Sequence, residues 1–536
     1  WLNAYQAGIF TEFQEQRAPG HTVLGDKIYR KGFIDLRNEI SREIQDLVAS
    51  DPGSRAREDE LRAMDIAAEA LINFAGRHAD ELEKMAREEK GAYKEELLNL
   101  ARICRKVPAM APESFHEALQ YYWFVHVGVI TELNPWDSFN PGRLDQHLFP
   151  FYKEELEKGT LSKEQAREIL QSFWIKFNNH PAPPKIGVTA KESNTYTDFA
   201  LINVGGLKED GTNAVNELSY LILDVIEEMR ILQPSSMVQL SVKNPDEFIH
   251  RALKIVGTGF GQPSIFNTDA IVKELTRQGK SIEDARNGGA SGCVESGAFG
   301  KESYFLTGYF NLTKVFEITL NNGYDQRTGK QVGLETGIAD SFQTFDKLME
   351  AFNKQLKYFI DIKIRGNNTI EKLYAEEMPV PFMSLLIDDC ITNGKDYNAG
   401  GARYNTSYIQ GVGLGSLTDN LTAVKYHVFD MKTTGMHELM DALKNDFGGY
   451  DELRRDLIFN TPKYGNDDDY ADEQAVRIFD AFYDAVDGRP TYRGVIFRIN
   501  LLPTTSHVYF GSVIGAMPDG RKAGTPLSEG ISPVQG

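Results

Sequence analysis

From about residue 186 the chain alternates short apolar runs with stretches of helical periodicity, and this limits the fold more than any other feature. The runs are IGVTA (186–190), FALINVGG (199–206), SMVQLSV (236–242) and QPSIFN (262–267), with PFMSLLI (381–387), YIQGVG (408–413) and TSHVYFG (505–511) further on. Helical patterns over 214–231 and 246–258 are long enough to carry the crossover that parallel strands require. The expectation is an α/β architecture with a mainly parallel sheet. The first third is different: 36–50, 59–87 and 89–105 carry apolar residues at three- and four-residue spacing. KVPAMAPESF (106–115) breaks that pattern, and Glu113–Ser114 ahead of FHEALQYYWFVHV predicts a new helix, apolar nearly all round and therefore buried. No internal repeat or low-complexity linker divides the chain. A mainly helical layer over 1–180 and a strand-bearing core over 181–536 are expected to form one catalytic body.

Composition narrows the function classes. A net charge of −19 repels nucleic acid and anionic membrane surfaces. Cys104, Cys293 and Cys390 are odd in number and widely spaced, which argues against a disulfide scaffold or a structural zinc site and fits a reducing cytoplasm. The most apolar run, VHVGVI (125–130), is far too short to span a bilayer, and no secretory signal pattern is visible.

The stretch NGGASGCVESGAFG (287–300) is the densest in chemistry. In an extended segment residues two apart share a side, so Cys293 and Glu295 would face one space. Glycines 288, 289, 292, 297 and 300 allow close backbone approach, as a sharp loop tip requires. Local residues leave two readings open: a buried inert cysteine beside a surface glutamate, or a working pair. A nearby carboxylate raises a thiol's pKa, so the pair suits a thiolate nucleophile poorly. It suits better a sulfur that handles hydrogen atoms and a carboxylate that handles protons. TELNPWDSFNPGRLDQ (131–146) presents Asp137 from a turn-rich loop, which alone reads more readily as a structural cap than as a binding residue. The G-V-G-L-G of 411–415 lacks the third glycine of a dinucleotide loop at its spacing and an obvious preceding strand. MPDGRKAGTPLSEGISP (517–533) reads as an ordered surface loop. NDDDYADE (466–473) lacks the ligand spacing of a calcium loop, and no metal is expected.

Taken together, SGCVESG, GGARYN (400–405), LPTTSHVYFG (502–511) and PDGRKAGTPLSEGISPVQG (518–536) resemble the glycyl radical enzymes of the pyruvate formate-lyase superfamily. The resemblance covers essentially the whole chain. It implies a ten-stranded barrel of two parallel five-stranded half-sheets surrounded by helices, with a finger-like loop lifting Cys293 to the centre. Val294 stands where a second cysteine would support acyl transfer, and Glu295 is the mark of the eliminases. Within these, WLNAYQAGIFTEFQEQRAPGHTV (1–23), NNHPAPPKIGVTAKESNTYTDFALIN (178–203) and FGKESYFLTGYFN (299–311) are most similar to dehydratases of trans-4-hydroxy-L-proline.

The implied chemistry is hydrogen abstraction from C5 of hydroxyproline by a thiyl radical on Cys293. The 4-hydroxyl leaves as water, with Glu295 exchanging the proton, to give (S)-1-pyrroline-5-carboxylate. Asp137 would orient the substrate, and Ser193, Asp198, Phe199, Tyr309 and Thr504 would line its pocket. The implied partners are a radical-SAM activating enzyme that installs the glycyl radical and a second copy of the subunit. No metal or organic cofactor is expected in the chain itself.

The family's Arg-Val-x-Gly-Tyr radical loop has no counterpart in these residues, and RGVIFRIN (493–500) is not it. The chain therefore reads as a fragment cut at both ends, without its C-terminal radical domain and inactive by itself. Alternatives on the same scaffold are a hydroxyproline C–N lyase, an isethionate sulfite-lyase, a glycerol or diol dehydratase, or a formate acetyltransferase-like protein. A thiol hydrolase and a non-catalytic partner subunit are the readings from other classes.

Overall fold

The structure is a computed structural model that describes residues 1–11, 21–48, 51–133, 138–179, 200–292, 294–502 and 505–534. At its centre stand two all-parallel half-sheets. One contains β3 (Gly142–Arg143), β4 (Leu201–Gly205), β5 (Ser235–Leu240) and β6 (Ser264–Asn267), in that order. The other has β9 (Glu302–Asn311) and β13 (Ile496–Leu501) on either side of β12 (Tyr404–Val412).

A further parallel pair, β1 (His21–Val23) with β2 (Ser138–Asn140), bridges the two half-sheets. The Asn140 side chain accepts a hydrogen bond from the Leu201 amide of β4 at 2.5 Å. The Val23 carbonyl accepts one from Gly300, just ahead of β9, at 2.8 Å. The described strands thus supply four members of one half-sheet and three of the other. Two short antiparallel pairs complete the set: β7 (Gly289–Ala290) with β8 (Ser296–Gly297), and β10 (Tyr324–Asp325) with β11 (Lys330–Gln331).

Helices return the chain between parallel strands, as right-angle turns alone cannot. Glu217–Met229 joins β4 to β5 and Asp246–Val256 joins β5 to β6. Asparagines start several helices with side-chain caps. Asn267 at the end of β6 and Asn311 at the end of β9 each accept from an amide three residues on, so strand passes into helix with no intervening loop. The predicted helix after Ser114 runs Phe115–Glu132, capped by Ser114 and apolar on every side. Two hydrophobic cores result. One packs the N-terminal helices against β4 and β5, and the other packs β9 and β12 against the helices of the C-terminal half.

Two predicted strands are helices. PFMSLLI holds the helix Pro381–Leu386, because Pro381 is preset for a first helical turn and Glu132 receives the free amides of Phe382 and Met383 at 2.8 and 2.9 Å. TSHVYFG holds Ser506–Ser512, a run too short for its spacing to separate period 2 from period 3.6. In the other direction, FGKESYFLTGYFN and RGVIFRIN contain β9 and β13. β9 is buried at all ten positions, so it shows no alternation. The IGVTA run lies outside the described residues.

The G-V-G-L-G stretch does follow a strand: β12 turns at Gly413 (φ 87°) into the helix Leu414–Val424. That turn is sealed by the chain itself. A side chain on Gly415 would strike the Ser532 carbonyl at 2.5 Å, and Ser416 and Ser528 exchange hydrogen bonds of 2.9 and 2.8 Å. For the same reason 517–533 is only partly a surface loop, since Met517, Asp519, Leu527 and Ser528 are buried. No helix among the described residues is long and apolar enough to cross a membrane.

Candidate active site

The glycine-rich stretch is a hairpin standing between the two half-sheets. It leaves the helix Ile282–Arg286, forms β7 and β8 in the register Gly289 to Gly297 and Ala290 to Ser296, and runs on into β9. Its first arm is held by amides from the four-stranded sheet. Asn203 of β4 donates to the Ala290 carbonyl at 3.1 Å, and Gln239 of β5 donates to the Gly288 carbonyl at 3.0 Å. Its second arm is held by β12 of the other sheet. Tyr408 donates its hydroxyl proton to the Ser296 carbonyl at 3.1 Å, and Gln410 donates to the Glu295 carboxylate at 2.9 Å.

Close approach explains the glycines. A Cβ on Gly289 would lie 2.6 Å from the Asn203 side-chain oxygen, and one on Gly297 would fall within the ring of Tyr304. Here glycine is required by space.

Glu295 is fully buried. Its Oε1 accepts from Gln410 Nε2, its Oε2 from the Val294 amide at 3.2 Å, and its main-chain carbonyl from Ser291 at 2.8 Å. Both carboxylate contacts favour the ionised form over the neutral one. Cys293, between the two arms, lies outside the described residues. So do Asp137, Ser193, Asp198, Phe199 and Thr504, while Tyr309 is described and buried. Tyr309 sits in β9 directly opposite Gln410, beyond a bulge in the β9–β12 register, and so shares the face that carries Gln410 and Tyr408. The structure therefore brings Glu295 and Tyr309 to one interior face.

Among the described residues the walls are poor in base. Burial pushes the phenols of Tyr304 and Tyr408 well above their ordinary range, with the charges of Glu302 and then Glu295 adding to it. Glu302 is ion-paired to the buried Lys280 at 3.0 Å, and Arg498 of β13 to Asp487 at 2.8 Å. A cavity of about 270 Å³ opens between the hairpin and β13, lined among others by Val294, Ser296, Tyr408 and Asn500. The other two cysteines are free and buried, and burial raises Cys104 to about 11 and Cys390 higher still. Neither supplies a thiolate at neutral pH.

Sequence reasoning passed over Gln410, Tyr408, Asn203 and Gln239. A signal was available: each is a polar side chain inside a strand, where a buried amide or phenol must find a partner. What the partner was could be learned only from the fold.

Residues 1–511 match the family model for pyruvate formate lyase-like proteins. This chain belongs to the pyruvate formate lyase-like family. It is 56% identical, over its full length, to trans-4-hydroxy-L-proline dehydratase of Clostridioides difficile and spans 68% of that protein. The crystal structure of the hydroxyproline dehydratase of Clostridioides difficile with trans-4-hydroxy-L-proline bound superposes with a TM-score of 0.98, covering 99% of this chain and 68% of that one. A glycyl radical enzyme from Archaeoglobus fulgidus is 32% identical with a TM-score of 0.93, again covering all of this chain and 68% of that one. The chain thus spans about two thirds of the length of its relatives.

Proposed function

We propose that this chain carries the catalytic core of a glycyl radical dehydratase that converts trans-4-hydroxy-L-proline to (S)-1-pyrroline-5-carboxylate. The observation that carries the reading is 56% identity, extending over the whole chain, to a protein of that activity. The hairpin geometry supports it. The surroundings of residue 293 fit a radical: the hairpin is held by both half-sheets, the acid beside it is sealed from solvent, and the neighbouring tyrosines stay protonated. A glycyl radical in reach of Cys293 supplies the oxidant that removes the thiol hydrogen.

Cys293 then takes a hydrogen atom from C5 of the substrate. Glu295 delivers a proton to the 4-hydroxyl, and the C4–O electron pair leaves with the oxygen as water. The lone pair of the ring nitrogen closes the C5=N bond after the nitrogen has given up a proton that restores the acid. Cys293 returns its hydrogen atom to C4, where the unpaired electron then lies. Proton transfer by a positioned carboxyl contributes about 10²- to 10⁴-fold to such a step. Asp137 orients the substrate's polar groups, and Ser193, Asp198, Phe199, Tyr309 and Thr504 bound the pocket. On the same resemblance rest a radical-SAM activating enzyme, a homodimer and a cytoplasmic location.

The test is an anaerobic assay of the full-length, activated protein with hydroxyproline, glycerol and isethionate in parallel. Formation of (S)-1-pyrroline-5-carboxylate from hydroxyproline alone supports the reading. Turnover of glycerol or isethionate without loss of hydroxyproline overturns it.

A further inference from the structure

We propose that Gln410 is the positioning residue for Glu295 and the acceptor for the second hydrogen of the departing water. The inference rests on the dehydratase reading above. Gln410 lies in the buried C-terminal half of β12, and its Nε2 is 2.9 Å from Glu295 Oε1. An ionised carboxylate only accepts hydrogen bonds, so the amide nitrogen must face it, and this fixes which way the amide points. Its oxygen is thereby turned elsewhere. Gln410 Oε1 is buried and has no partner among the described residues. Leaving such an acceptor empty is unfavourable, because it has given up its water without a replacement. A group delivered with the substrate would remove that cost.

Departing water supplies that group. When the C4–O bond breaks, its electron pair stays with the oxygen, Glu295 gives the proton that completes the water, and the unpaired electron stays on the ring. The water then has two O–H bonds and needs two acceptors. The Glu295 carboxylate is one, and Gln410 Oε1, on the amide already bonded to that carboxylate, is the other. Because Nε2 stabilises ionised Glu295, the amide also strengthens Glu295 as an acid. Asn500 of β13, level with Gln410, has a buried Nδ2 that is likewise unpartnered, so this row presents an open donor beside the open acceptor.

Among the described residues, the other ionisable groups on this face are Tyr304 and Tyr309 of β9 and Tyr408 of β12. Glu302, held by Lys280, and Arg498, held by Asp487, stand further along.

The experiment compares wild type, Gln410→Met and Gln410→Glu in the full-length protein. Glycyl radical content is matched by electron paramagnetic resonance, and the pH dependence of kcat is recorded. In Gln410→Met the limb set by Glu295 should move up by about one pH unit, the equivalent of one lost charge-assisted hydrogen bond. It should move further in Gln410→Glu, where two carboxyls share one site, and kcat should fall about tenfold with KM changing less. A limb that stays in place in either folded, radical-bearing variant overturns the proposal.

Infrared titration of the unactivated protein reads the Glu295 acid carbonyl directly, identified by its loss in Glu295→Gln. The same upward shift is expected there, and its absence overturns the proposal without any turnover. Should wild type not consume hydroxyproline, the dehydratase reading falls, while the infrared titration still decides whether Gln410 governs Glu295.

Discussion

At Gly297 the absence of a side chain is a packing requirement, because any Cβ would enter the ring of Tyr304. Gly297→Ala is therefore expected to lower stability by about 1–3 kcal/mol, seen as a reduced denaturant midpoint at unchanged slope. An unchanged midpoint would mean that the hairpin does not pass Tyr304 this closely. Glu295 carries the chemical prediction at this scale. Glu295→Gln in the full-length protein should keep its glycyl radical and lose about 10²- to 10⁴-fold in kcat. Wild-type turnover in that variant would remove Glu295 from the mechanism.

Single residues were legible to different degrees. The i, i+2 spacing of Cys293 and Glu295 predicted a shared space; Glu295 is buried between the half-sheets, while Cys293 lies outside the described residues. Gln410 gave no such notice, since its meaning depends on a partner 115 positions away in sequence.

Among the elements, those with a local signal matched best. Ser114 and the pattern after it predicted a helix whose first turn the structure caps from Ser114. Strands proved harder. β9 hides because both faces are buried, whereas PFMSLLI imitates a strand but takes its helical turn from Glu132, a residue some 250 positions earlier. Long-range contacts decided both cases, and a short window cannot contain them.

The strap after β9 offers a test of such a contact. Lys314, in the buried helix Leu312–Leu320, pairs with Asp325 of β10 at 2.7 Å and also with Glu317. Burial opposes ionised Asp325, but the Lys314 charge and hydrogen bonds from Lys314 and Thr328 outweigh it and hold the carboxyl below its ordinary 3.8. A depressed carboxyl stabilises the fold fully above its unfolded pKa and ceases to do so as the pH falls through the folded value. Asp325→Asn should therefore cost about 3 kcal/mol at neutral pH. The gap from wild type should shrink only below about pH 4. Denaturant titrations of both proteins across that range check it, and a gap independent of pH would assign the loss to packing instead of charge.

For the whole molecule, the alternation of strands and helices was enough to predict a parallel α/β core. The join between the two half-sheets was not legible, because it depends on β1 and β2, three residues each, and on the bonds Asn140 to Leu201 and Val23 to Gly300. Within that frame Asn203 and Gln239 hold the hairpin from one half-sheet and Tyr408 and Gln410 from the other. The most direct test of the account follows the hydrogen itself. Hydroxyproline carrying two deuterium atoms at C5 is given to the full-length, activated protein, and the product is examined for label. A slowed reaction is expected, with one deuterium remaining on the carbon that was C5 of hydroxyproline and the other transferred to the carbon that was its C4. A product with only solvent hydrogen added at C4, formed at an unchanged rate, would contradict hydrogen transfer through Cys293.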